Sequence, residues 1–148
     1  MKLTAQMIFD ECARHVINQG EPAMNGSTCK YLSDKGTSCA IGGPLRAAGL
    51  YAPEMDRFNA SVAGLLNGDA GSEPRKVPGY VMLKAALKAW GVQDADLPLV
   101  SDIQGAHDCA EHSMGQDVFL GDFKERMRRA AVKFGLSTYV LDGQQTAA

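Results

Sequence analysis

Cys29-Lys30-Tyr31-Leu32-Ser33-Asp34-Lys35-Gly36-Thr37-Ser38-Cys39-Ala40-Ile41-Gly42-Gly43-Pro44 is the stretch on which the fold turns. It holds two of the four cysteines of the chain, a tyrosine and three glycines. Asp34-Lys35-Gly36 has the composition of a three-residue hairpin loop, a type I turn closed by glycine. Thr28 to Ser33 and Thr37 to Ile41 are therefore expected to pair as a small hairpin over about residues 28–41. In that register Ser33 faces Thr37, Tyr31 faces Cys39 and Cys29 faces Ile41. Cys29, Tyr31, Cys39 and Ile41 then share one side of the ribbon. The two thiols sit diagonally, too far apart for an unstrained disulfide. A second registration starts a helix at Cys39 itself, capped by Ser38, and tolerates Pro44 inside it. In the first, Pro44 opens the helix Leu45-Arg46-Ala47-Ala48 and Gly49 closes it.

On both sides of this cassette the sequence has helical periodicity. Leu3, Met7, Ile8, Cys12, Val16 and Ile17 recur at three- to five-residue steps, with Thr4 as N-cap and Gly20 as stop. Residues 21–27 form a polar turn. Further on, Asn59 to Leu66 forms a short helix, and Asp69 to Lys76 is expected to be a mobile loop. Pro78 opens a helix that ends at Trp90 and Gly91, and Asp96 or Pro98 begins another with Leu97, Val100, Ile103, His107 and Ala110 inward. The last helix carries Phe119, Phe123, Met127, Ala130, Ala131 and Phe134 on one face and stops at Gly135. Thr138 to Leu141 is expected to add a short strand, and residues 144–148 to fray.

The totals fit that reading. At 148 residues, 45% hydrophobic and 22% charged, the chain has the size and composition of one globular domain. The expectation is a mainly helical α+β domain over residues 1–143, with five or six short helices and one small hairpin. A net charge of -2 supplies no field toward nucleic acid or anionic lipid. No window approaches the ~18 apolar residues of a membrane span, and Asp10 and Glu11 interrupt any signal-peptide core. The expected place is the cytoplasm, with four free thiols.

Four constellations could carry chemistry. Cys39 at a helix start, with His107 as base and Asp108 as orienting acid, has the parts of a thiol hydrolase. Cys29, Cys39, His107, Cys109 and His112 offer zinc-type donors, but without a C-x2-C pair; only Cys109 and His112 share a helix face, so no metal or other cofactor is expected. Gly42-Gly43 before a short helix, with Tyr31 and Arg46 beside it, has the makings of an anion-binding turn. Lys124, Arg126, Arg128, Arg129 and Lys133 give the last helix a basic face, whose ordinary reading is a solvated one.

The cassette resembles a family of small bacteriophage, prophage and bacterial proteins whose pattern is C-x-Y, a glycine turn and C-A-[IV]-G, then a segment like L-Q-x-I-H-D and a terminal triplet like H-G-L. The matching residues are Cys29, Tyr31, Gly36, Cys39, Ala40, Ile41 and Gly42. They continue with Asp102-Ile103-Gln104-Gly105-Ala106-His107-Asp108 and Phe134-Gly135-Leu136. Gly43-Pro44 and Ala106 depart from the pattern. The resemblance implies origin and rough fold, and brings no established activity. The functional expectation is a phage-type accessory protein acting by binding or sequestration. Its target is expected to be a host protein, such as a defence component, or a small anionic ligand such as a nucleotide. Tyr31, Gly42, Gly43 and Arg46 form the expected binding site, and homo-oligomerisation remains open. A Cys39–His107 hydrolase and a zinc-stabilised interaction module are the alternatives.

Overall fold

The computed structural model describes residues 1–67 and 78–143. The expected loop at 69–76 and tail at 144–148 lie outside the described residues. Helix α1 runs Ala5–Gln19. Two-residue strands β1 (Met24–Asn25) and β2 (Thr28–Cys29) follow. The remaining helices are α2 (Gly42–Ala47), α3 (Glu54–Arg57), α4 (Val62–Asn67), α5 (Pro78–Trp90), α6 (Leu97–Asp108) and α7 (Gln116–Phe134). The fold is the expected mainly helical α+β domain. No helix among the described residues is long and apolar enough to cross a membrane.

Local chemistry explains the helix ends. Thr4 accepts the Met7 N–H through its hydroxyl at 3.1 Å, and the last N–H of α1, at Gly20, reaches back to the Val16 carbonyl. Helix α6 packs against α1, α4 and α7. Phe9, Ile103, Phe119, Phe123 and Met127 are wholly buried where these helices meet. Burial of each such side chain contributes roughly 1.5–3 kcal/mol. Cys12 lies in this core, as its place on the apolar stripe of α1 implies.

The hairpin lies earlier than expected. Met24 pairs with Cys29 and Asn25 with Thr28, around a Gly26-Ser27 turn. Gly26 has φ of +62° and Ser27 is not in the positive-φ region, the pattern of a type II′ turn, which takes glycine at its first central position. The Asp34-Lys35-Gly36 turn does form: the Ser33 N–H donates to the Thr37 carbonyl at 2.8 Å. The ladder fails to extend because side chains claim its donors. Asp56 accepts the N–H groups of Tyr31 and Leu32 at 2.8 and 3.0 Å, and the Gln19 amide oxygen accepts that of Ser38 at 2.8 Å. Residues 138–141 also depart from expectation, since Tyr139–Asp142 is a 3-10 turn and not a strand.

Candidate functional site

Beyond β2 the chain carries Lys30 and Tyr31 over a cavity of about 140 Å³, whose walls include Cys29, Cys39, Met55, Asp56, Gln104 and Asp108. Cys29, Tyr31, Cys39, Gln104 and Asp108, five residues from the two motif segments, therefore line one cavity, although the 28–41 ladder expected to join the first three is absent. Tyr31 is buried. Its hydroxyl donates to the Ala60 carbonyl at 2.7 Å and accepts from the Gln104 amide at 2.7 Å. Gln104 in turn accepts the Val62 N–H at 2.9 Å. This chain of bonds ties the loop after β2 to α4 and α6, and each buried polar group in it has a partner.

His107 and Asp108 close α6. The Ala23 N–H donates to His107 Nε2 at 3.0 Å, and His107 Nδ1 lies 2.8 Å from Asp108 Oδ1. A backbone amide can only donate, so Nε2 carries the lone pair and Nδ1 carries the proton given to Asp108. The imidazole is fully enclosed, edge-on to Phe119 at 5.8 Å between ring centroids, while a third of the Asp108 side chain remains exposed. Besides His107, the Cys29 thiol lies within hydrogen-bonding reach of the Asp108 carboxylate. The charge of Asp108 is felt across the cavity. Burial first, and then this carboxylate, push the Cys29 thiol up to about 12 and the Cys39 thiol well above the ordinary range. Burial, the Cys39 sulfur and the same carboxylate also raise the Tyr31 phenol.

These facts change several sequence expectations. Of the two registrations, the hydrogen bonding follows the one that begins at Cys39: the Gly43 N–H donates to the Cys39 carbonyl at 3.1 Å. The cap is the Cys39 thiol, which accepts the Gly42 N–H at 3.2 Å. With those amides already used, the Gly42-Gly43 turn does not form an anion cradle. Its glycines serve close packing instead. A Cβ on Gly42 would overlap the Tyr31 backbone, and one on Gly43 would overlap the His15 ring. Tyr31 presents no free ring face for stacking, and Arg46 is held by the Ser38 hydroxyl at 2.8 Å and the Gly36 carbonyl at 3.2 Å.

A hydrolase built on Cys39 and His107 meets two obstacles in this geometry. The thiol is buried and holds its proton, and the one imidazole lone pair is occupied by the Ala23 amide. Metal donors do gather: Cys29 Sγ, a His107 ring nitrogen and an Asp108 oxygen lie within 4.8 Å of one another. Here too the tautomer decides, because Nδ1, the nitrogen that meets Asp108, bears a proton and offers no lone pair to zinc. Cys109 is exposed and lies past the end of α6, so it shares no helix face with His112.

The basic face of α7 is neutralised locally. Arg126 pairs with Asp122, Arg128 with Asp142, Arg129 with Glu125 and Lys133 with Asp102, at 3.0–3.5 Å. That is the solvated face read from the sequence. Asp56 and Ala23, which organise the cavity and fix the histidine tautomer, had no signal in local spacing. Gln104 stood in a motif segment but carried no assigned role. Comparison with protein-family models, with curated proteins and with solved structures finds no match to this chain.

Proposed function

We propose that this protein works by binding, as an accessory or sequestering protein, and that its site is the cavity beneath Tyr31. The observation that carries this reading is the Asp108 carboxylate, held by a buried His107 of fixed tautomer, close to the Cys29 thiol and one-third exposed at the cavity wall. Its volume of about 140 Å³ suits one small headgroup or a single side chain of a larger partner. Asp56 and Asp108 set two carboxylates in the wall against the one ammonium of Lys30. The balance there is negative, so the group taken is a cation or an N–H-rich donor, an ammonium or guanidinium, and not the anion expected from the sequence. Lys30 stands at the wall, with Nζ 3.4 Å from both the Asp56 carbonyl and Asn59 Oδ1, and favours a ligand that carries an acceptor beside its cationic end. Phage origin and a host target fit a small sequestering protein of this kind.

Titration of the full-length protein with methylguanidinium, followed by amide chemical shifts, tests this reading. Shifts are expected at Cys29, Tyr31 and Gln104, and they should vanish in Asp108→Asn, whose amide keeps the shape and removes the charge. Shifts with acetate or phosphate but none with the cation would overturn the assignment.

A further inference from the structure

A different surface gathers three lysines that have no ion pair among the described residues. Helix α5 buries Leu83, Ala86 and Leu87 and turns Val81, Lys84, Ala85 and Lys88 outward. These four stand at three-, four- and seven-residue steps, so they form one stripe along the helix. A cavity of about 390 Å³ lies against this stripe with Leu65, Tyr80 and Leu97 in its wall. A second, of about 430 Å³, adjoins it and adds Lys2, Val92 and Asp94; Lys84, Lys88 and Leu97 line both. Among the described residues, none of Lys2, Lys84 and Lys88 makes an ion pair. This is the reverse of α7, where four of the five bases are paired.

We infer that this double groove docks an acidic, amphipathic segment of a partner protein, with carboxylates on Lys84 and Lys88 and an aliphatic side chain between them. Charge complementarity argues for the acid. Lys84 and Lys88 are one helical turn apart, about 6 Å along the axis, the spacing of glutamates at i and i+4 on a facing helix. The apolar walls argue for a peptide anchor. A membrane surface prefers clusters of about 4–8 basic residues on an exposed patch, whereas three lysines here flank two concave grooves. This surface does not depend on the cavity under Tyr31, and its charge is opposite.

The probe is a fluorescein-labelled synthetic peptide of about 16 residues, roughly four turns, with glutamates paired at i and i+4 and leucines on the same face. Anisotropy with the full-length protein should show saturable binding that weakens with salt. Lys84→Glu with Lys88→Glu should weaken it by about tenfold or more, and Lys84→Gln with Lys88→Gln by less. Both pairs are exposed, and an unchanged thermal melt confirms that each variant folds. The proposal fails if the double reversal binds as wild type does, or if Arg128→Glu with Lys133→Glu on α7 abolishes binding instead. It also fails if the glutamine version of the peptide binds equally well. Binding to phosphatidylserine vesicles without binding to the peptide, or self-association that the double reversal abolishes, would assign the groove to a membrane or to a second copy, and overturn it.

Discussion

The cavity beneath Tyr31 and the outer stripe of α5 carry opposite charge and are built by opposite means. In the cavity, two carboxylates outweigh the Lys30 ammonium, and one of them, Asp108, is oriented by a buried imidazole that a backbone amide has itself fixed. Asp56, Gln104 and Tyr31 are each bonded to two or more partners. On α5 the charges belong to lysines with no ion-pair partner among the described residues. The contrast separates two ways of presenting charge. A buried network holds its carboxylate at one position but loses stability when any link is cut, since an unpaired buried polar group costs about 1–3 kcal/mol. An exposed stripe costs the fold almost nothing and fixes no geometry until a partner arrives.

Urea denaturation sets the two regions against each other most sharply. His107→Ala strips the Ala23 amide and Asp108 of their partner and leaves a void beside Phe119, so a loss of about 3 kcal/mol is expected. Lys84→Ala with Lys88→Ala should stay within about 0.5 kcal/mol of wild type. Comparable losses from the two changes would break the distinction.

A smaller effect sharpens it. Tyr31→Phe removes only the hydroxyl that joins Gln104 to the Ala60 carbonyl, and should cost about 1–2 kcal/mol. No loss would mean that the chain of bonds across the cavity does not hold it together.

The gentlest test is pH. Burial and Asp108 raise the Cys29 thiol from its ordinary 9.0 to about 12, so the folded form keeps a proton that the unfolded form gives up. Its contribution is complete below about pH 9 and declines as pH rises toward 12. Cys12, Cys39 and Tyr31 are shifted the same way, by burial first. Thermal melts should therefore fall through this alkaline range, and Cys29→Ser should flatten the slope. A slope identical in that variant would remove Cys29 from the account.

Much of the fold was legible in the sequence. Helix α1 begins after Thr4 and ends at Gly20, α5 runs from Pro78 to Trp90, and the buried face of α7 is the one marked by Phe119, Phe123 and Met127. The meeting of Tyr31 with Cys39 was legible too, though for the wrong reason. They line one cavity because their loops are held by Asp56 and Gln19, not because a strand ladder joins them. Asn25-Gly26 stood in a stretch read as a plain polar turn, and is where the hairpin forms. The anion site failed because glycine has two uses, and here close packing against Tyr31 and His15 takes precedence over exposing amides.

What the sequence determined by itself was the long helices α1, α5, α6 and α7 and their inward faces, but not the short α3, because periodicity and capping act between residues a turn or so apart and need several turns to show. What only the tertiary structure decided was the destination of each polar group. Tyr31 finds Asp56 across 25 residues, Gln104 finds Tyr31 across 73, and Ala23 finds His107 across 84. That last bond fixes which imidazole nitrogen keeps its proton, and with it whether the site has a base, a metal ligand or a carboxylate to offer. Such choices are competitions among donors and acceptors that meet only once the core has closed, so no local pattern in the chain records them.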